Sequence, residues 1–362
     1  MSSQTRVSMR LSNASLPPVL FWAVLGAGIL CFQLYVLGKW VSGPYFVATD
    51  PGPDPITHGQ QLYFLGLQIA LPLLALWMLW HWLIKPWRRE GSITTDGRLI
   101  AAFSMIFFWD MSMNYSSTAL FYNSYFLNRG AWNLGSWPTW YSPNANALPE
   151  PLLVCIPGYT ALVFSQALFI CGLLRKVKAR HPQMGFLGVL AFVVIGLTIV
   201  DTVIEVLLIR SGIYAYPGAI RAITLFAGER FQLPLTETFF FGGLGIGATA
   251  LLSFYRDDTG KTWAERGIEQ VRMGAKGKQW LRFFAVFGFI HFFFFTLYSL
   301  PQIFVSLNTD PFPKGYPSYL ENGMCVYGVN EDECPGPGVM MPRPPHKIVP
   351  GGLPRRSASD AQ

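Results

Sequence analysis

Charge is what this sequence has least of: only 13% of its 362 residues are Asp, Glu, Lys or Arg, about half the share usual in a soluble domain. Histidine is scarce as well. His58, His81, His181, His291 and His346 occur singly, with no HxxxH or HExxH spacing, which argues against a di-iron oxygenase or a zinc protease. There is no P-loop and no nucleophile elbow. The last apolar run lacks lysine, so a retinal Schiff base cannot form there. No internal repeat is found, although many secondary transporters are built from duplicated halves. A basic patch interleaved with aromatics is missing too, which leaves nucleic acid out as a partner. Acid–base chemistry without metal or redox cofactor remains, or no chemistry.

What is present is apolar: 51% of the residues are hydrophobic, 15% are aromatic and the mean hydropathy is +0.33. About seven runs approach the roughly 20 residues that cross a hydrocarbon core, at 18–40, 61–84, 99–121, 151–174, 185–209, 233–255 and 281–306. The fold class expected is therefore all-α, a polytopic membrane helical bundle with the lipid bilayer as its first partner. The first run is too long for a signal-peptide core and no small-residue cleavage site follows it.

Basic residues cluster in alternate loops and set the orientation. Lys85, Arg88, Arg89 and Arg98, then Arg175, Lys176, Lys178 and Arg180, then six Lys or Arg between 256 and 280, mark the cytoplasmic side. These loops beside anionic head groups also account for much of the net charge of +7. The N-terminus is expected inside and the C-terminus outside a bacterial cytoplasmic membrane. Three regions follow: a cytoplasmic tail at 1–17, a transmembrane domain at 18–306 and a Pro/Gly-rich exterior tail at 307–362. Cys31, Cys155 and Cys171 fall in apolar runs as small packers. Cys325 and Cys334 lie in the tail, where an oxidising compartment permits a disulfide.

The segment 122–150 crowds Tyr122, Asn123, Tyr125, Asn128, Trp132, Trp137, Trp140 and Tyr141 together. One reading is an interfacial aromatic belt; the other is a lid over a pocket, since long loops without regular structure tend to be functional.

Carboxylates stand where they are costly. Asp110, Asp201, Glu205 and Glu237 lie within or at the edge of the apolar runs, and ionisable residues at such positions usually mark function. Asp110, Asn114 and Ser117 share one helix face, which Tyr115 and Thr118 widen. Asp201 and Glu205 share another. With Glu237 opening the sixth run and Glu150 just before the fourth, five acids are expected to converge on an outward-leaning cavity. The alternative is that each is paired with an arginine, with Arg129, Arg210, Arg221 and Arg230 available. His291, central in the seventh run, is either a proton shuttle completing the cavity or a hydrogen-bonded structural residue. Gly243 and Gly247 form a GxxxG that serves close helix packing.

Motif order carries a resemblance. Gly43-Pro44-Tyr45, Lys85-Pro86-Trp87-Arg88-Arg89-Glu90, Asp110 with Asn114, Tyr122-Asn123-Ser124-Tyr125, Gly135-Ser136-Trp137, Glu150-Pro151, Tyr214-Ala215-Tyr216-Pro217-Gly218, Phe254-Tyr255-Arg256-Asp257-Asp258 and Cys334-Pro335-Gly336-Pro337-Gly338 follow one another. Over about residues 20–340 this order resembles the AveC-like spirocyclase family of bacterial membrane proteins. The resemblance implies a spiroketal cyclase of the kind named from avermectin biosynthesis, with relatives linked to dehydration of the spiroketal.

On the buried acids, the expected site has Asp110, Asp201, Glu205 and Glu237 as catalytic groups. Asn114, Tyr115, Tyr122, Asn123, Trp137, Glu150 and His291 are expected to bind a lipophilic small molecule. A protonated Asp201 or Glu205 would activate a carbonyl or hemiketal hydroxyl, and Asp110 would take the proton of the attacking hydroxyl. The competing class is a proton-coupled transporter or a lipid-binding membrane protein, in which the same acids carry protons or hold a cationic solute. Nothing in the sequence sets the oligomeric state.

Overall fold

In the computed structural model, residues 17–114, 119–132, 135–138 and 148–322 are described. Cys325, Cys334, Tyr115, Ser117, Thr118, Trp140 and Tyr141 lie outside them. Six helices are long and apolar enough to cross a membrane: α1 (Pro18–Val41), α2 (His58–Glu90), α5 (Cys155–Arg180), α6 (Phe186–Arg210), α7 (Leu235–Phe254) and α8 (Ala275–Ser306). Their boundaries fall close to six of the seven expected runs. The protein is an all-α polytopic bundle.

The run at 99–121 is built differently. It gives two short helices, α3 (Thr95–Phe103) and α4 (Phe107–Met113), and by Phe121 the chain is extended. Asn114 ends the helix, because its Oδ1 accepts the backbone N–H groups of Ala119 and Leu120 at 3.1 and 2.8 Å. Interrupted backbone at membrane depth is tolerated only where protein covers it. That condition is met: Leu99, Ile100, Ala102, Phe103, Ile106 and Phe108 have no exposed surface.

The outer helices turn apolar side chains outward. Leu187 is 77% exposed, Val24 75% and Leu207 66%, an arrangement costly in water and suited to lipid. Inside, α1 and α8 run in the same direction and touch backbone to backbone. A Cβ on Gly26 would sit 2.0 Å from the Phe284 carbonyl oxygen, and one on Gly288 2.2 Å from that of Trp22. Gly243 serves a similar contact, since its Cβ would meet the Thr198 hydroxyl at 2.5 Å.

The two ends of the bundle differ. At one, the loops 91–94 and 255–274 join α3 to α8 through charge. Glu265, fully buried, meets Arg98 at 3.1 Å and Arg282 at 2.6 Å, and Arg256 meets Asp96 at 2.6 Å. At the other end, three two-stranded ladders pair β1 (Phe121–Tyr122) with β4 (Tyr214–Ala215), β2 (Asn128–Gly130) with β3 (Pro149–Pro151), and β5 (Thr224–Leu225) with β6 (Leu233–Pro234). The short helix α9 (Ser318–Glu321) packs over them: Ser124 N–H donates to Tyr319 O at 2.9 Å and Asn322 Nδ2 to Tyr122 O at 2.9 Å.

Candidate active site

Near the laddered end, between α2, α4, α5, α6 and the start of α7, a cavity of about 100 Å³ is lined by Asp110, Glu205 and Glu237. Aliphatic and aromatic side chains form most of its wall. Three of the long helices depart from α-geometry beside it, with π-helical stretches at Tyr159–Val163 in α5, Phe239–Ile246 in α7 and Phe295–Ser299 in α8. A π-turn inserts an extra residue and re-aims the side chains around it, often at functional sites. In α8 it ends two residues before Pro301, which has no N–H to continue the ladder. In α7 it coincides with a glycine-rich stretch, where a Cβ on Gly242 would fall 2.6 Å from that of Asp201.

The re-aimed residues are phenols. Tyr159 opens the α5 π-turn and donates to Asp110 Oδ2, which Tyr122 also reaches at 3.4 Å. Tyr298, inside the α8 π-turn, has its hydroxyl within hydrogen-bonding reach of Asp110 Oδ1 and lies 2.7 Å from Glu237 Oε1. A phenol carries one proton. Two carboxyl contacts at one hydroxyl therefore require a second proton, borne by Asp110 or Glu237. Glu205 is held otherwise: Tyr214 and Tyr216 both donate to its Oε2 at 2.8 Å, a pattern that an ionised carboxylate satisfies with both lone pairs of one oxygen.

No cation neutralises these groups among the described residues; none of Asp110, Asp201, Glu205 and Glu237 forms an ion pair there. The four arginines that could have paired with them are engaged elsewhere. Arg210 lies over the rings of Phe226 and Phe231, 4.6 and 3.7 Å from their centroids. Arg129 donates to Asn128 O, Arg221 to Pro311 O and Arg230 to Gly315 O. Also among the described residues, no group of three or more His, Cys, Asp or Glu side chains is arranged to hold a metal ion.

Asp110, Tyr122, Glu205 and Glu237 thus meet at one cavity. Asp201 lies beside it, fully buried, with Oδ1 accepting from Gln166 Nε2 at 3.1 Å and Oδ2 without a partner among the described residues. Gln166 itself faces the cavity. Asn114 bonds backbone, as above. Asn123 does likewise, accepting from Tyr125 N at 2.9 Å and donating to Gly212 O at 2.8 Å. Glu150 is buried in β3 opposite Arg129. Trp137 packs on Phe32 and Phe108, away from the cavity lining.

His291 is placed apart. Its Nδ1 faces Trp109 Nε1 at 2.9 Å and Gln33 Nε2 at 3.2 Å, and its Nε2 faces Ala102 O at 3.0 Å. With indole and amide N–H groups at Nδ1 and a carbonyl at Nε2, the neutral tautomer protonated on Nε2 satisfies every contact. Sequence reasoning named neither Tyr159 nor Tyr298. Each stands within three residues of a proline in an apolar run, at Pro157 and Pro301, and that was the available signal.

A model of the family described as Spirocyclase AveC-like matches residues 87–320. No curated protein and no solved structure matches the chain. The matched stretch is most of the sequence, and it contains each carboxyl of the cavity together with the phenols that hold it. The chain therefore belongs to the AveC-like spirocyclase family.

Proposed function

We propose that this protein is a membrane-embedded acid–base cyclase that closes a hydroxy-ketone of lipophilic polyketide type into a spiroketal, with dehydration as an outcome of the same chemistry. The observation that carries the proposal is the single Tyr298 hydroxyl bridging Asp110 and Glu237 at the wall of a cavity that Glu205 also lines. Two carboxyls that share a proton, facing a third that accepts only, supply an acid and a base to one bound molecule. Family membership supports a cyclase.

Glu205 takes the proton of the attacking hydroxyl as its oxygen adds to the carbonyl carbon, and hands that proton to the former carbonyl oxygen, which becomes the hemiketal hydroxyl. The Asp110–Glu237 pair gives its proton to the hemiketal hydroxyl, which leaves as water. The oxocarbenium-like centre that results lies among carboxylates fixed in advance by Tyr159 and Tyr298, and such preorganised charge is the usual source of stabilisation. A second hydroxyl then closes the other ring, its proton returning to the pair. These roles differ from the sequence-based expectation, in which Asp201 or Glu205 was the acid and Asp110 the base. Hydrogen-bond donors are the reason: phenols hold both Glu205 and Asp110 and favour their ionised forms, whereas Glu237, among the described residues, has only the hydroxyl it shares with Asp110 and is left to carry the pair's proton. Asp201 is a positioning residue acting through Gln166.

Comparative metabolite profiling of the host with and without the gene tests this, with complementation by the wild type, Asp110→Asn, Glu205→Gln and Glu237→Gln. An uncyclised or hydrated precursor that accumulates and is cleared by the wild type alone is the expected result. Full rescue by all three variants removes the proposed site.

A further inference from the structure

The cavity is small for the substrate it is proposed to serve. It encloses about 100 Å³, whereas pockets that bury a whole drug-sized ligand hold roughly 300–1,000 Å³. Only the reacting segment fits, and the remainder of a lipophilic molecule must leave through an opening.

Among the described residues, the laddered end offers little room for one. The β1–β4 ladder sets Phe121 against Ala215 and Tyr122 against Tyr214 across the mouth. Asn322 Nδ2 holds the Tyr122 carbonyl from α9 and Asn123 Nδ2 holds that of Gly212. Gln60 at the start of α2 brings its Nε2 within 3.8 Å of where a Cβ on Gly212 would lie, just past the end of α6.

Along the membrane the wall is different. The cavity continues into a groove whose floor is the α5 face bearing Cys155, Leu162 and Val163, each only partly buried. Leu67 on α2 stands on one side, Ile204 and Leu208 on α6 on the other. Within the described residues α2 and α6 form no extensive packing with one another over that floor, although each packs on α5. Outside the groove both helices turn apolar side chains outward, among them Ile69 and Leu207. A gap between two lipid-facing helices opens on hydrocarbon.

We infer that the substrate enters sideways from the hydrocarbon core through the groove between α2 and α6, and that its uncharged alkyl remainder stays seated there while the oxygenated segment reacts at the acids. The identity of the occupant rests on the cyclase function proposed above; the route does not. A chain of this kind suits the groove because its flanks, Leu67, Ile204 and Leu208, are aliphatic, while Asp110, Glu205 and Glu237 line the same continuous space. The oxygens of a hydroxy-ketone are thereby brought to the acids while the rest of the molecule keeps the apolar surroundings it has in lipid.

Cys155, on the groove floor, reports on the route without turnover. In a background with Cys31, Cys171, Cys325 and Cys334 replaced by alanine, membranes are treated with a lipophilic maleimide and, separately, with a charged membrane-impermeant one applied to both faces. The lipophilic reagent is expected to alkylate Cys155 about tenfold faster or more, because a thiol reacts only with reagent that reaches it. Ile204→Trp and Leu208→Trp, which fill the groove, are each expected to abolish that advantage. Leu207→Trp, on the neighbouring lipid-facing position, leaves it intact and checks that an added indole does not act through folding. Equal labelling by both reagents, labelling by neither, or indifference to both groove-filling variants overturns the inference. A protein that labels as expected yet leaves its precursor uncyclised defeats the cyclase proposal and not the route. One that cyclises normally in both tryptophan variants defeats the route and not the cyclase.

Discussion

Two groups of buried carboxylates among the described residues have partners opposite in kind. Glu265 has no exposed surface and meets two guanidinium groups, those of Arg98 and Arg282. Asp110, Glu205 and Glu237 are buried as well, and phenols hold them. Guanidinium groups bring positive charge and directed N–H donors to the Glu265 carboxylate, and the cluster fastens α3 to α8. Phenols donate hydrogen bonds without supplying charge, so a proton can reside on one side of a Tyr298 bridge or the other. The first arrangement is a fastener and the second can move protons.

The largest expected effect separates the two by activity. Asp110→Asn or Glu205→Gln should lower turnover by about 10²- to 10⁴-fold, the range for removing a general acid or base. Thermal unfolding in detergent should shift little, because an amide still accepts a phenol hydrogen bond. Glu265→Gln should do the reverse. Breaking one side of a buried ion pair leaves uncompensated charge and costs about 3–5 kcal/mol, seen as a large drop in unfolding midpoint, while the folded fraction keeps its turnover. A variant at Asp110 that unfolds the protein, or one at Glu265 that spares stability and stops turnover, breaks the comparison.

Tyr298→Phe comes next. It keeps the ring that packs on Phe241 and Phe294, at centroid distances of 5.0 and 5.1 Å, and removes the bridging hydroxyl. Leaving one buried carboxyl oxygen short of a donor and the other carboxyl's O–H short of an acceptor costs about 1–3 kcal/mol. Turnover should fall with a displaced pH profile, because the proton formerly shared by Asp110 and Glu237 becomes that of a single group. Loss of stability with an unchanged pH profile would make Tyr298 a packing residue.

The two clusters were unequally legible beforehand. Acids inside apolar runs stand out in any sequence, and the six long helices follow from composition and length alone. The phenols do not stand out, because a tyrosine in an apolar run reads as an interfacial anchor, and the π-turns that aim Tyr159 and Tyr298 leave no periodic trace. His291, central in its apolar run, reads either as a proton shuttle or, more often for a lone histidine there, as a satisfied structural residue. Its three partners come from α1, α3 and α4, contacts far apart along the chain. The run at 99–121 has the hydropathy of a span, and its division into α3 and α4 depends on being enclosed by the other helices. Glu265 sits in a loop rich in basic residues and gave no sign of being buried.

The smallest effect concerns the cap over the phenol-held acids. Glu321 in α9 is pushed up to about 7 from an ordinary value of 4.5, first by burial and then by the charge of Asp54. Between those values the unfolded chain has released the proton that the folded chain keeps. The unfolded state therefore binds fewer protons, and stability falls as pH rises from about 4.5 to about 7. A full shift would correspond to about 3 kcal/mol. The carboxyl is partly solvated, so screening should leave about 1 kcal/mol or less. The unfolding midpoint of the wild type should decline gently over that interval and that of Glu321→Gln should decline less, with the two converging at the acid end. Because Asn322, the next residue, ties α9 to the Tyr122 carbonyl, a cap loosened at higher pH should also raise protease cleavage near residues 318–322, while the Glu265 cluster at the far end stays equally protected at both pH values.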